Sequence, residues 1–274
     1  MTSPVIFTDL DGTLLDHESY DWVEAKPALD LCKERHVPVI LVSSKTRAEM
    51  NPLRLELGLT APFISENGGG IYFPQDGPLD PPPEAVPDKE LWKWSLGAPY
   101  PRLVRSLREI SDELGLPLRG FSDMTPEEIA GLTGLGIAQS RLAAMREYDE
   151  PFVLPRADTG SLKSLHQAAL RRGVQISTGG RFHHLHGAMD KGDAIQRLIA
   201  LYKGLREDVK TVGLGDSPND FSMLRTVDHP VLLGAPNRFP ELKAELQRLT
   251  LVEKPGPLGW NEAVLDILTK ESEL

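Results

Sequence analysis

The 274-residue chain has a single cysteine, Cys32. That excludes an intramolecular disulfide and a cysteine-ligated zinc site. Cys32 lies in an apolar helical run, so core packing is its expected role. Long hydrophobic runs are also missing, and no stretch is long enough to span a bilayer. Basic charge is in deficit: 30 Lys and Arg face 40 Asp and Glu, for a formal net charge of −10. A nucleic-acid partner is therefore not expected. There is no internal repeat, low-complexity segment or basic patch. Asn and Gln are sparse while proline is plentiful at 23, a composition that leans weakly toward a thermophilic source. No signal-peptide pattern precedes the first apolar run, so the cytoplasm is the expected compartment. The remainder, 40% hydrophobic and 26% charged, suits a globular protein of one large or two modest domains.

What is present centres on residues 7–16, Phe-Thr-Asp-Leu-Asp-Gly-Thr-Leu-Leu-Asp. Val5-Ile6-Phe7 before it reads as a buried strand. In extended chain, side chains at i and i+2 share a side, so Asp9 and Asp11 converge at the strand's carboxyl end. Two adjacent carboxylates repel, and a cation beside them is expected. Mg²⁺ fits, because it takes one or two carboxylates and completes its shell with water and phosphate.

The rest of the chain alternates strands and helices. A helix at 28–35 and a strand at 37–42 suggest a right-handed crossover and a parallel sheet. Thr46 and Glu49 have capping-box spacing at a helix start. Ser43 and Ser44, just before it, can hold a phosphate at that helix N-terminus. Asn67-Gly68 between apolar runs signals a hairpin. Residues 76–101, with Pro81-Pro82-Pro83, read as a linker and domain boundary. Beyond it, helices near 103–114, 126–132 and 161–172 and strands near 118–121, 152–154, 174–178 and 182–186 are enough for a separate unit. The expected fold is α/β: a Rossmann-like parallel-sheet core of residues 1–79 and 188–274, with an inserted α+β cap domain at 80–187. Lys191 opens a helix against its macrodipole, which calls for another reason to be there. A strand near 210–214 ends in Gly215-Asp216-Ser217-Pro218-Asn219-Asp220.

These strings, in this order, resemble the four motifs of the haloacid dehalogenase superfamily. The resemblance implies that Asp9 attacks phosphorus and Asp11 is the general acid and base. It implies that Lys191 steadies nucleophile and phosphate, and that a serine ending the second strand binds phosphate. Ser44 is favoured there, with Ser43 as the alternative. It also implies that Asp9, Asp11 through its backbone carbonyl, and Asp216 hold the metal, with Asp220 as a ligand or a partner of the ligands. Asn67, in the E-N-G stretch, is a candidate substrate contact.

In the inserted region, Arg146-Glu147-Tyr148-Asp149-Glu150 packs carboxylates that can accept hydrogen bonds from sugar hydroxyls. Gly180 to His186 combines Arg181 with His183, His184 and His186. Arg181 is the candidate grip for a carboxylate. His184 and His186 share a face but lack an obvious third partner for zinc. Both strings, with S-S-K-T-R-A-E and I-S-E-N-G-G, resemble the mannosyl-3-phosphoglycerate phosphatase family. The expected partner is thus a phosphorylated sugar-glycerate small molecule. Arg146, Glu147, Asp149, Glu150, Arg181 and His183 are the candidate cap contacts. A phosphomannomutase-like or other sugar-phosphate enzyme of the superfamily, and a non-catalytic phosphosugar-binding module, are the rival readings.

Overall fold

The computed structural model describes residues 4–154, 159–179, 182–206, 208–234 and 238–270. Arg181 lies outside them. The first half of the core runs β1 (Val5–Thr8), α1 (Lys26–Glu34), β2 (Val39–Leu41), α2 (Arg47–Glu56), β3 (Phe63–Ser65) and β4 (Gly70–Pro74). A hairpin follows, β5 (Val86–Asp88) and β6 (Leu91–Ser95). Next come α3 (Tyr100–Leu114), β7 (Arg119–Gly120), α4 (Pro126–Thr133), α5 (Ile137–Ala143) and β8 (Asp149–Val153). These are followed by α6 (Thr159–Arg171), β9 (Gln175–Gly179) and β10 (Phe182–His186). The chain closes with α7 (Lys191–Leu205), β11 (Thr211–Gly215), α8 (Phe221–Thr226), β12 (His229–Leu233), α9 (Pro240–Glu245), β13 (Thr250–Val252) and α10 (Gly256–Lys270).

Five strands form a parallel sheet in the order β13-β12-β11-β1-β2. β1 is buried at every position, as expected for a central parallel strand covered on both faces. Its alternate residues enter different cores. Ile6 joins Leu29 of α1 and Trp260 of α10. Val5 and Phe7 join Ile195 and Leu198 of α7. A second, antiparallel sheet, β3-β4-β6-β5, adjoins the first through the parallel bridge of Val42 and Ile64. A third, β7-β8-β10-β9, is antiparallel. Leu103, Leu107 and Ile110 of α3 and Leu165, Ala168 and Ala169 of α6 pack together with Phe152 and Leu185 of that sheet. The fold is α/β, a parallel core with an inserted α+β cap.

Residues 86–95 depart from the expected linker. They form strands because Trp92 and Trp94 pack on the cluster containing Phe7 and Phe73. Pro87 is accommodated on β5, an edge strand, where a missing N–H costs little. This hairpin pairs with β4, although it follows residue 80 in sequence. α5 was not anticipated, since no side chain caps it. The expected capping box at Thr46–Glu49 is formed, and Thr125 and Glu128 form a second one at the start of α4. Cys32 is buried in the core, and burial pushes its thiol up to about 12. Among the described residues no helix is long and apolar enough to cross a membrane.

Candidate active site

Asp9 follows β1, and its N–H donates to Leu214 O of the neighbouring β11 at 2.9 Å. The carboxyl ends of these two central strands therefore set the site, as open α/β sheets generally do. Lys191 is the first residue of α7, placed by a capping box between Asp190 and Asp193. Its ammonium is 1% exposed and donates to Asp9 Oδ1 at 2.6 Å and Asp220 Oδ1 at 2.7 Å. These two carboxylates explain a lysine that opposes the helix dipole. Burial works against the Lys191 charge, but Asp220 and Asp9 outweigh it and hold its pKa above the ordinary range. Burial, then the charge of Asp220, pushes Asp9 well above the usual carboxylate range despite the pull of Lys191.

Asp220 anchors the loop after β11. Its Oδ2 accepts the N–H of Asp216 and of Ser217 and the Ser217 hydroxyl, each at 3.1 Å. Asp216, raised to about 6 by burial and by Asp220, closes against Gly12. A Cβ at Gly12 would come 2.7 Å from Asp216 Oδ2, and the backbone there has φ +80°, so only glycine suits the turn. From below, the buried indole of Trp260 donates to Thr8 Oγ1 at 3.0 Å. The Thr8 hydroxyl in turn donates to Asp9 O at 2.8 Å.

Asp11 Oδ2 is 2.9 Å from Lys45 Nζ, while Asp11 Oδ1 is buried with no protein partner. Burial opposes the Lys45 charge, and the Asp11 and Glu49 carboxylates outweigh it. Ser43 is buried and its Oγ accepts the Lys45 N–H at 3.2 Å. Ser44 is half-buried, and its carbonyl accepts from Arg146 at 2.8 Å.

Asp9, Asp216 and Asp220 each offer a carboxylate oxygen within 4.8 Å of the others. An all-oxygen, anionic donor set suits a hard cation such as Mg²⁺ better than a soft metal. Burial and then the charge of Asp220 raise both Asp9 and Asp216, and a cation among them would offset that charge.

The neighbouring turn carries Asn67, whose Oδ1 accepts from Asn219 at 3.0 Å. Glu66, beside it, is buried and accepts the N–H groups of Glu147 and Tyr148 at 2.8 to 3.1 Å. Gly68, at φ +100°, lets this turn lie against the Asp190 carbonyl. Arg146 links Ser44 O, Ala143 O and Asp149 Oδ2, the last at 3.3 Å. Glu147 is gripped by Arg47, Lys93 and Tyr72. Asp149 is buried, with Oδ2 2.8 Å from His184 Nδ1 and Oδ1 without a protein partner. Burial alone would raise Asp149, but His184 and Arg146 outweigh it and hold it below the carboxylate range. Both Glu150 oxygens are used, one by Ser122 and one by Tyr100. His183 stacks on Phe152 and bonds Thr178, so it is His184 that meets Asp149.

Asp9, Lys191, Asp216 and Asp220 thus come together, with Asp11, Ser43 and Ser44 adjoining. Two neighbours were not singled out from sequence. Lys45 follows the paired serines directly, and its cation in an acidic chain was the available signal. Glu66 was visible in the E-N-G string, but nothing local foretells that its partners lie 81 and 82 residues away.

Residues 6–81 and 157–251 match the family model of haloacid dehalogenase-like hydrolases. A glucosyl-3-phosphoglycerate/mannosyl-3-phosphoglycerate phosphatase from Methanococcoides burtonii is 38% identical over 98% of this chain and 99% of its own. A mannosyl-3-phosphoglycerate phosphatase from Pyrococcus furiosus is 38% identical over 84% of this chain and 90% of its own. Among solved structures, a Thermoplasma acidophilum protein superposes with a TM-score of 0.68 at 18% identity, covering 100% of both chains. The chain belongs to the haloacid dehalogenase-like hydrolases, is an enzyme of the phosphoric monoester hydrolase class, and resembles the mannosyl-3-phosphoglycerate phosphatases.

Proposed function

We propose that this protein is a Mg²⁺-dependent phosphatase that hydrolyses 2-O-mannosyl-3-phosphoglycerate to mannosylglycerate and phosphate. The observation that carries the reading is the buried Lys191–Asp9 pair at the end of β1, in a chain 38% identical over 98% of its length to a phosphatase named for such substrates. The M. burtonii relative is named for glucosyl and mannosyl forms alike, so the glucosyl ester is the second substrate to test. We assign residues 1–79 and 188–274 to the catalytic core and 80–187 to the cap, with the cytoplasm as its compartment.

Asp9 attacks phosphorus and the phosphoryl group passes to its carboxylate, releasing the glycerate oxygen. Asp11 gives that oxygen a proton, then removes one from the water that cleaves the aspartyl-phosphate. Lys191 holds Asp9 and meets the phosphoryl oxygens, since positioning and charge stabilisation carry most of phosphoryl transfer. The hydroxyl of Ser44 donates to the same oxygens, with Ser43 as the alternative donor. The carboxylates of Asp9 and Asp216 and the backbone carbonyl of Asp11 would hold Mg²⁺, with Asp220 beside them. Bound there, the ion would neutralise charge between Asp9 and phosphate. Asn67 contacts substrate from the core. In the cap, Asp149 has an oxygen left for a sugar hydroxyl. Arg146, Glu147 and Glu150 shape its surroundings, and Arg181 and His183 are further contacts to test.

The test is phosphate release from mannosyl- and glucosyl-3-phosphoglycerate and from simple sugar phosphates, with and without Mg²⁺. The mannosyl ester should be turned over best, and a folded Asp9→Asn protein should release none. If simple sugar phosphates serve equally well, the substrate assignment falls and only the phosphatase remains. An isomeric sugar phosphate in place of free phosphate would identify a mutase.

A further inference from the structure

We propose that Lys45 binds the carboxylate of the substrate's phosphoglycerate end; this rests on the phosphatase reading above. A substrate with a phosphate and a carboxylate on adjacent carbons brings two anionic groups into an acidic protein. The core cation, Lys191, is 1% exposed and already bonded to Asp9 and Asp220. Arg146 is committed to Ser44 O, Ala143 O and Asp149. Arg47 and Lys93 both grip Glu147. Lys45 differs from these. Its ion-pair partner is Asp11, at 2.9 Å, and the two side chains are 15% and 33% exposed, so the pair sits at the open edge of the site. The Tyr20 ring lies 4.8 Å from the Lys45 ammonium, screening its outer side.

The position follows from the chemistry of Asp11. To protonate the leaving oxygen, Asp11 must lie within hydrogen-bond reach of it. In a 3-phosphoglycerate ester the carboxylate carbon is three bonds from that oxygen. A cation in contact with Asp11 therefore faces the carboxylate. An ammonium has three donors, so Lys45 can keep Asp11 and take the carboxylate together. The same contact accounts for a lysine, in place of a neutral residue, directly after the paired serines and before the Thr46 cap.

The experiment compares mannosyl-3-phosphoglycerate with its carboxyl methyl ester, which keeps the sugar, the phosphate and the alkoxide leaving group. Wild type should prefer the acid by about 10- to 100-fold in kcat/KM, the size of one charge-assisted hydrogen bond. Lys45→Met should abolish the preference, mainly through KM for the acid, and Lys45→Arg should restore part of it. If Lys45 serves only Asp11, both substrates lose the same factor and the preference survives, which overturns the proposal. Should Lys45→Met be too slow to assay, calorimetry in an Asp9→Asn background reads the acid-over-ester binding ratio directly. An unchanged ratio there also overturns it. Wild type that releases phosphate from neither compound, while hydrolysing other sugar phosphates, would instead remove the substrate reading, and the proposal with it.

Discussion

Across 182 residues of sequence, Lys191 sets its ammonium 2.6 Å from Asp9 Oδ1. The pair is buried, and Asp220 completes it on the other side. Lys191→Met should keep the packing volume but strand two carboxylates. We expect activity to vanish and stability to fall by ~3–5 kcal/mol near pH 8. The loss should shrink toward pH 5. Asp9, already raised by burial, can then take up a proton in the folded variant, and a folded state that binds the extra proton gains as pH falls. Urea unfolding at both pH values measures the gap; an equal gap would show that protonation of Asp9 does not relieve the stranded charge.

Asp216 packs on Gly12 and shares the carboxylate cluster. Chelator-treated protein should be inactive and regain turnover with Mg²⁺. Asp216→Ala should raise the Mg²⁺ concentration for half-maximal phosphate release by at least about tenfold. Undiminished turnover of the wild type in metal-free buffer would remove the metal from the reading.

Asp11→Asn should lower turnover of a sugar-phosphate ester by ~10²–10⁴-fold, because no proton reaches the leaving oxygen. Nitrophenyl phosphate expels an oxygen that needs little protonation, so its loss should be much smaller. Steady-state rates for the two esters decide the matter, and equal losses would take the acid role from Asp11.

The parallel core was legible because its signals are local. Val5 to Phe7 is apolar at each position, as a strand covered on both faces requires, and Asp9 and Asp11 come directly after it, although the chain turns at Leu10 between them. The capping residues Thr46 and Asp190 mark helix starts within four residues of chain. The β5–β6 hairpin was hidden because proline around it reads as linker, while its reason to exist is a distant apolar cluster. In the cap, alternation placed His184 and His186 on one face, but only tertiary pairing selects His184 for Asp149 and leaves His183 on Phe152. Lys45 and Glu66 stood in quoted strings, yet their partners Asp11, Glu147 and Tyr148 come from other parts of the chain.

Glu66 gives the last prediction. Its carboxylate accepts the N–H of Glu147, shared between both oxygens, and the N–H of Tyr148, and so ties the core turn to the segment entering β8. Burial pushes its pKa from 4.5 to about 7, and the charge of Arg146 and the backbone N–H groups offset this only in part. The folded protein therefore keeps a proton on Glu66 between those pH values that the unfolded chain has released. The stabilisation associated with that proton is complete below about pH 4.5 and is lost as pH rises through 7. Glu66→Gln cannot titrate. Wild-type stability relative to this variant should thus fall by on the order of 3 kcal/mol between pH 4.5 and pH 8. Urea unfolding of both proteins across that range tests it, and Asp216→Asn serves as a second reference because Asp216 is also raised, to about 6. A difference between wild type and Glu66→Gln that stays flat from pH 5 to 8 would mean that the two N–H groups keep Glu66 ionised throughout. The turn would then be fastened to the cap by a permanent charge.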